Sequence, residues 1–402
     1  MSFQNDISSP FTPGQPVQVD YFVGRENELN RLFAKVEQSA TGTVNVEFLS
    51  GERGIGKTSL ASFLRHVSEQ NIGVFGVHVF LGGVSTLEEM ARRVIEQLIL
   101  ESREKSWFDS IFSMVKEHIR GVGLFNVSLE FRPPIEVLHS MVSGFAESLR
   151  GFNKKLSNNG KGLLIILDDI NGLAKSQEFA NWFKSLVDSI AVSRDRLPVT
   201  FVFVGYDQRR RSLISLQPSL ARVFDPIELA PWDDAHTADF FSKAFSKASL
   251  AVSDDAMNLL CWYTGGLPML AHEIGESVFM HNTDEIVDKF DAARGIKKAA
   301  EIVGAKYLEP QVLAPIKSDK YKGILKKLVM VPGRESFARA DIMNLLNDSE
   351  RAALGKFLSK MKDLQIITAE PEFGPGHYKF TSRLHYLYFR IKSELEMKKT
   401  DR

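Results

Sequence analysis

The sequence predicts an α/β fold whose centre is a parallel sheet with helices on both faces. Unbroken apolar runs such as Leu163–Leu167 and Val199–Val204 are too continuous for half-solvated strands and fit strands buried on both sides. Stretches with helical spacing separate them, as crossovers between parallel strands require. The third observation is the octapeptide Gly51-Glu52-Arg53-Gly54-Ile55-Gly56-Lys57-Thr58, set between a short strand (Val44, Val46, Phe48, Leu49) and a helical run (Ser59, Leu60, Phe63, Leu64, Val67).

The octapeptide fits the phosphate-binding pattern G-x-x-x-x-G-K-[ST] at every position. Its glycines let backbone N–H groups turn inward around phosphates, and the helix that follows adds its positive dipole end. Residues 51–59 are therefore the expected cradle. Lys57 would reach the β- and γ-phosphates and the Thr58 hydroxyl would hold Mg²⁺. No guanine-reading Asn-Lys-x-Asp closes a strand, so ATP is the expected nucleotide. Asp168 and Asp169 end the strand Leu163–Leu167. There, Asp168 would order the metal shell and Asp169 the attacking water. Asp169 is one methylene shorter than a glutamate and would hold that water less closely, so slow turnover is expected.

In chain order, residues 1–20 hold Pro10, Pro13, Gly14 and Pro16 and read as a flexible leader. A helix begins near Glu26. After the phosphate loop come a strand from Val74 to Phe80 and a helix from about Thr86 to Leu100. Residues 103–133 resemble an insertion. Ile135–Leu149 reads as a helix, and residues 153–160 as a polar loop. Beyond Pro231 the pattern turns to helices alone, near 233–250, 254–264, 267–282 and 284–303. Residues 304–318, with Gly304, Pro310 and Pro315, read as a linker, and 319–395 as a last small domain.

Composition excludes several classes. The 402 residues carry 50 Lys and Arg against 50 Asp and Glu, so no net charge steers the whole chain to nucleic acid or membrane. The single cysteine, Cys261, permits neither an internal disulfide nor a zinc cluster, and its apolar neighbours suggest an inert thiol. None of the nine histidines has metal-binding spacing, and all read as structural or surface groups. No apolar run approaches the ~20 residues of a membrane span, and no signal peptide is evident, so a cytoplasmic location is expected. Charge is uneven, however. From residue 306 onward there are 19 Lys and Arg against 12 Asp and Glu, an excess that suits an anionic partner.

Several segments resemble AAA+ and STAND-type ATPases, in particular the archaeal-type members that are similar to replication initiators. Phe22-Val23-Gly24-Arg25-Glu26 resembles the segment that packs near adenine in that superfamily, which makes Phe22, Val23, Gly24 and Arg25 candidate base contacts. Gly205-Tyr206-Asp207 stands where the superfamily keeps a γ-phosphate sensor; Asp207 is the candidate, and Tyr206 the weaker one, although the usual Asn or Thr is missing. Ser219–Phe224 resembles the segment presenting an arginine finger to a neighbouring subunit, with Arg222 as the candidate and Arg209, Arg210 and Arg211 as alternatives. Thr264-Gly265-Gly266-Leu267-Pro268 resembles the STAND lid motif, implying nucleotide contact through Pro268; no arginine sensor follows it. In purely local terms, Gly-Gly-x-Pro also ends one helix and starts the next.

Residues 319–395 resemble a winged helix: three short helices and a hairpin around Phe373-Gly374-Pro375-Gly376. Arg351, Lys356, Lys360 and Lys362 lie off the apolar face of the third helix and, with Lys379 of the wing, are candidate phosphate contacts. The resemblance thus implies an ATPase domain (21–231), a helical lid (232–303) and a winged-helix domain. The implied function is a slow ATP-dependent switch that oligomerises and acts on duplex DNA. The alternative is a signalling scaffold whose winged helix and insertion bind a protein partner.

Overall fold

The computed structural model describes residues 8–15, 23–102, 135–156, 161–314, 316–329, 336–381 and 383–400. It comprises two compact units: Arg25–Ala230, and Met1–Gly24 together with Pro231–Arg402.

The first unit runs α1 (Glu26–Ser39), β1 (Val44–Gly51), α2 (Lys57–Asn71), β2 (Phe75–Phe80), α3 (Leu87–Ser102), α4 (Ile135–Ser143), α5 (Phe145–Leu156), β3 (Leu163–Asp168), α6 (Gln177–Val192), β4 (Val199–Gly205), α7 (Asp207–Leu216) and β5 (Asp225–Leu229). The five strands form one parallel sheet in the order β2-β3-β4-β1-β5. Every residue of β3 and β4 is buried, as their unbroken apolar sequences require. One face is packed by interlocking aromatic rings. Phe183 meets Phe203 edge-on at 4.7 Å and Phe201 at 5.6 Å, and Phe48 meets Phe224 at 5.4 Å. Register matters most for function. Ser50 pairs with Gly205, and Asp168 with Val204, so the C-terminal ends of β1, β3 and β4 finish side by side. Ligands of open parallel sheets bind at this edge.

Local readings needed revision. The helix expected over 135–149 is broken at Gly144 into α4 and α5. Residues 153–156, expected in a polar loop, instead extend α5, where Phe152 and Leu156 are buried; Phe152 packs on Phe75 at 5.2 Å. The insertion at 103–133 and Phe22 lie outside the described residues.

The second unit contains α8 (Asp234–Lys247), β6 (Ala251–Val252), α9 (Asp254–Thr264), α10 (Pro268–Phe279), β7 (Ile286–Val287), α11 (Lys289–Val303), α12 (Asp319–Val329), β8 (Ser336–Ala338), α13 (Arg339–Met343), α14 (Asp348–Asp363), β9 (Ile367–Ala369), β10 (His377–Phe380) and α15 (Arg383–Thr400). Side-chain caps set several starts: Asp233 caps α8, Ser253 caps α9, and reciprocal capping boxes open α11 (Asp288 with Asp291) and α14 (Asn347 with Glu350). The Gly-Gly-x-Pro segment has a local explanation. Gly265 ends α9 in the left-handed region, and Pro268 is the first residue of α10. At Gly266 (φ +73) a Cβ would lie 2.0 Å from the Trp232 carbonyl oxygen, so nothing larger fits.

Three expectations fail here. Residues 8–15 are not a free leader. Phe11 is buried, 5.0 Å from Phe245 and 6.0 Å from Phe240, and the Thr12 N–H donates to His272 Nδ1 at 3.1 Å. One large apolar ring outweighs the prolines around it. Nor are residues 304–313 a linker, since Gly304–Leu313 continue α11 as a π-helix. Gly304 serves there as a point of close approach to the Tyr388 ring of α15, and Glu309 accepts from the Tyr388 hydroxyl at 2.6 Å and from Lys392 at 2.7 Å. Lastly, the expected hairpin gains a third strand, because Ser336–Ala338 form β8. It pairs antiparallel with β10 and completes a three-stranded sheet in the order β8-β10-β9.

Among the described residues no helix is long and apolar enough to cross a membrane, and no three His, Cys, Asp or Glu side chains cluster as a metal cage. Cys261 is buried, and burial pushes its thiol up to about 11, which keeps it unreactive.

Candidate nucleotide-binding site

The site is built at the sheet edge where β1, β3 and β4 end. β1 runs into the loop 52–56, and α2 starts at Lys57 with no side-chain cap and no acidic residue in its first turn. Gly56 holds the cap position at φ +94, a region that a Cβ-bearing residue enters at a cost. The first backbone N–H groups of α2 thus carry a partial positive charge that no side chain of the helix neutralises. Ile55 is fully buried and anchors the loop, while Glu52 and Arg53 are exposed.

Lys57 turns back over this loop. Its Nζ donates to the carbonyls of Gly51 at 2.8 Å and Glu52 at 2.7 Å, and it lies 5.1 Å from the centre of the Tyr206 ring. Burial pulls its ammonium from the usual 10.5 down to about 8, against the opposing pull of Asp168, Glu52 and Asp169. A cation so poorly solvated is a strong attractor for a phosphate.

Asp168 is buried at the end of β3. Its Oδ2 accepts from His78 Nε2 of β2 at 3.0 Å, while His78 Nδ1 lies 3.1 Å from the Ser62 hydroxyl of α2. Asp169 takes the left-handed region at φ +57, which costs a non-glycine residue about 1 kcal/mol or more. It accepts a hydrogen bond from the Asn171 amide, whose own oxygen accepts from Arg209 Nε at 3.0 Å. The two neighbouring carboxylates therefore face different surroundings. Thr58 and Asp168 are hard oxygen donors suited to Mg²⁺, which is usually held by one or two protein groups plus substrate phosphates.

Other candidates land less centrally. Arg25 is buried against the back of the loop, donating to the Ile55 carbonyl at 3.3 Å and pairing with Glu28 at 3.5 Å, so it braces the loop. Burial lowers its pKa, with Glu28 opposing. Val23 is buried in the core of the second unit. Asp207 starts α7 and spends its oxygens on Arg210 and Arg211 of the same helix. Burial raises its carboxyl, yet these two arginines bring it below the usual range. An anion held this way has no proton to donate to a γ-phosphate. Arg222 ends the 3₁₀ turn Pro218–Arg222 and is exposed. Pro268 is buried at the start of α10. The reading of all nine histidines as structural or surface groups passed over His78. The signal available was a lone polar residue in the strand Phe75–Phe80.

Residues 21–202 match the family model of the AAA ATPase domain. No curated protein matches the sequence. Solved structures share the fold along nearly the whole length. The ORC2 protein of Aeropyrum pernix, solved with ADPNP and ADP, superposes with a TM-score of 0.59 at 13% identity, covering 98% of this chain and 97% of its own. The Walker-type ATPase PABY2304 of Pyrococcus abyssi gives 0.57 at 15%, covering 92% and 96%. Cdc6p of Pyrobaculum aerophilum gives 0.51 at 15%, covering 96% and 98%. The parallel sheet and the phosphate loop of this chain thus share the fold of these archaeal proteins.

Proposed function

We propose that this protein is an ATP-dependent switch of AAA+/STAND type that hydrolyses ATP slowly and acts on duplex DNA through a C-terminal winged helix. The observation that carries the nucleotide reading is the convergence of Lys57, the uncapped start of α2, Asp168 and Asp169 at one sheet edge. Lys57 would exchange the Gly51 and Glu52 carbonyls for the β- and γ-phosphates. Mg²⁺ would supply Lewis-acid charge to the phosphates, with Thr58 and Asp168 as its protein donors. Asp169 would orient water, and Arg222 would reach the γ-phosphate of a neighbouring copy, tying turnover to oligomerisation.

For DNA, the support is the order helix, strand, helix, helix, strand, strand over 319–380, which is that of a winged helix. Lys356 and Lys360 on α14 line a groove of about 550 Å³ together with Lys317, Ser318, Tyr321 and the acidic Asp363. Fluorescence anisotropy on a labelled duplex, with MgATP, MgADP or no nucleotide, tests the reading beside Lys57→Ala. Binding that requires ATP and disappears in the variant supports it. No binding in any state, with nucleotide affinity intact, selects the protein-binding scaffold instead. That second reading is favoured by the other basic candidates: Arg351 is tied to the Met343 carbonyl, Lys379 faces Glu370 and Lys362 lies over Tyr378, while Phe373 stands exposed in the wing.

A further inference from the structure

We propose that His78 is a positioning residue that orients Asp168 for the metal and ties it to the phosphate-loop helix; this rests on the ATPase reading of the site. β2 has the sequence Phe-Gly-Val-His-Val-Phe, and its first five residues are buried. An imidazole in such a strand costs free energy unless its nitrogens are used, and here both are. Nε2 lies 3.0 Å from Asp168 Oδ2, and a carboxylate can only accept, so Nε2 carries the proton. Nδ1, 3.1 Å from Ser62 Oγ, shares a hydrogen bond with that hydroxyl. Ser62 sits in α2, five residues beyond Lys57. The Phe80 ring stacks on the imidazole at 4.6 Å with 17° between planes, covering one face.

The consequence is directional. With Oδ2 engaged by His78, Asp168 presents its other oxygen, Oδ1, which accepts no hydrogen bond among the described residues. Outer partners of this kind fix the orientation of a metal-ligating carboxylate, and their loss typically costs about 10–100-fold in metal affinity or activity. Through Ser62, the same ring links the metal carboxylate to the helix whose N-terminus meets the phosphates.

The test measures Mn²⁺ affinity of the full chain with saturating ADP by electron paramagnetic resonance. ADP affinity in EDTA and kcat are measured alongside, for wild type, His78→Ala, His78→Phe and His78→Gln. His78→Ala and His78→Phe should weaken Mn²⁺ binding about 10–100-fold and lower kcat, with ADP affinity in EDTA within about twofold of wild type. His78→Gln, whose amide N–H can still reach Asp168, should recover most of the loss. Ser62→Ala should show a smaller defect of the same kind. Equal Mn²⁺ affinity in all variants overturns the proposal, and so does the opposite ranking, with Phe tolerated and Gln not, which marks a packing role. Should His78→Ala fail to fold, the Phe and Gln pair still decides. Wild-type protein that binds no ADP overturns the ATPase reading itself, and the inference with it.

Discussion

The sheet edge of the first unit and the basic face of α14 use charge in opposite ways. At the sheet edge, a half-desolvated Lys57 is held by the Gly51 and Glu52 carbonyls, a buried Asp168 by His78 of β2, and a strained Asp169 by Asn171, and each partner fixes a direction. On α14 and the wing, Arg351, Lys362 and Lys379 are satisfied by nearby groups, while Lys356 is exposed and Lys360 half-buried around an open groove. Buried charge with fixed partners suits chemistry on one ligand, because low dielectric makes each interaction strong. Exposed lysines suit diffuse attraction that salt screens.

That contrast can be broken at four points. The largest effect should follow Asp169→Asn, which keeps shape but removes the charge that orients water. Single-turnover hydrolysis should fall about 10²–10⁴-fold with ATP affinity nearly unchanged; a loss of affinity instead would mean that Asp169 holds the loop. Next comes pH. Lys57 without nucleotide titrates near 8, and bound phosphates raise that value, so binding takes up a proton above pH 8. ATP affinity should be flat below pH 8 and fall by up to about tenfold per unit above it, with Lys57→Arg removing the slope. Calorimetric titration from pH 7 to 9.5 checks this.

Third is Glu47, buried in β1 with Oε2 unpartnered; burial, and then Asp225, push its carboxyl up to about 7. The folded state holds a proton there that the unfolded chain has released, so this stability is present below pH 4.5 and lost as pH rises through 7. Glu47→Gln should stabilise the protein by about 1–3 kcal/mol at pH 8 and much less at pH 5 in urea melts. The smallest change is expected from Lys356→Ala with Lys360→Ala. If both meet phosphates, the slope of log K against log salt should drop by about 2, with only modest loss of affinity at low salt. An unchanged slope would move the interface elsewhere.

By itself, the sequence determined the parallel α/β fold, the phosphate loop and the strand ending in Asp168-Asp169. These are local matters: continuous apolar strands have one stable environment, and a phosphate cradle needs glycines, a lysine and a hydroxyl at fixed spacing. Helix starts at Ser253, Asp288 and Asn347 are local too, since a cap acts within three residues. What only the tertiary structure decided depends on groups distant in the chain. His78 meets Asp168 across 90 residues because β2 and β3 are neighbours in the sheet, which no periodicity in the sequence encodes. Residues 8–15 and 304–313 read as unstructured because proline and glycine dominate a local reading. Burial of Phe11, and the approach of Gly304 to Tyr388, override that preference with contacts that exist only once the chain has folded.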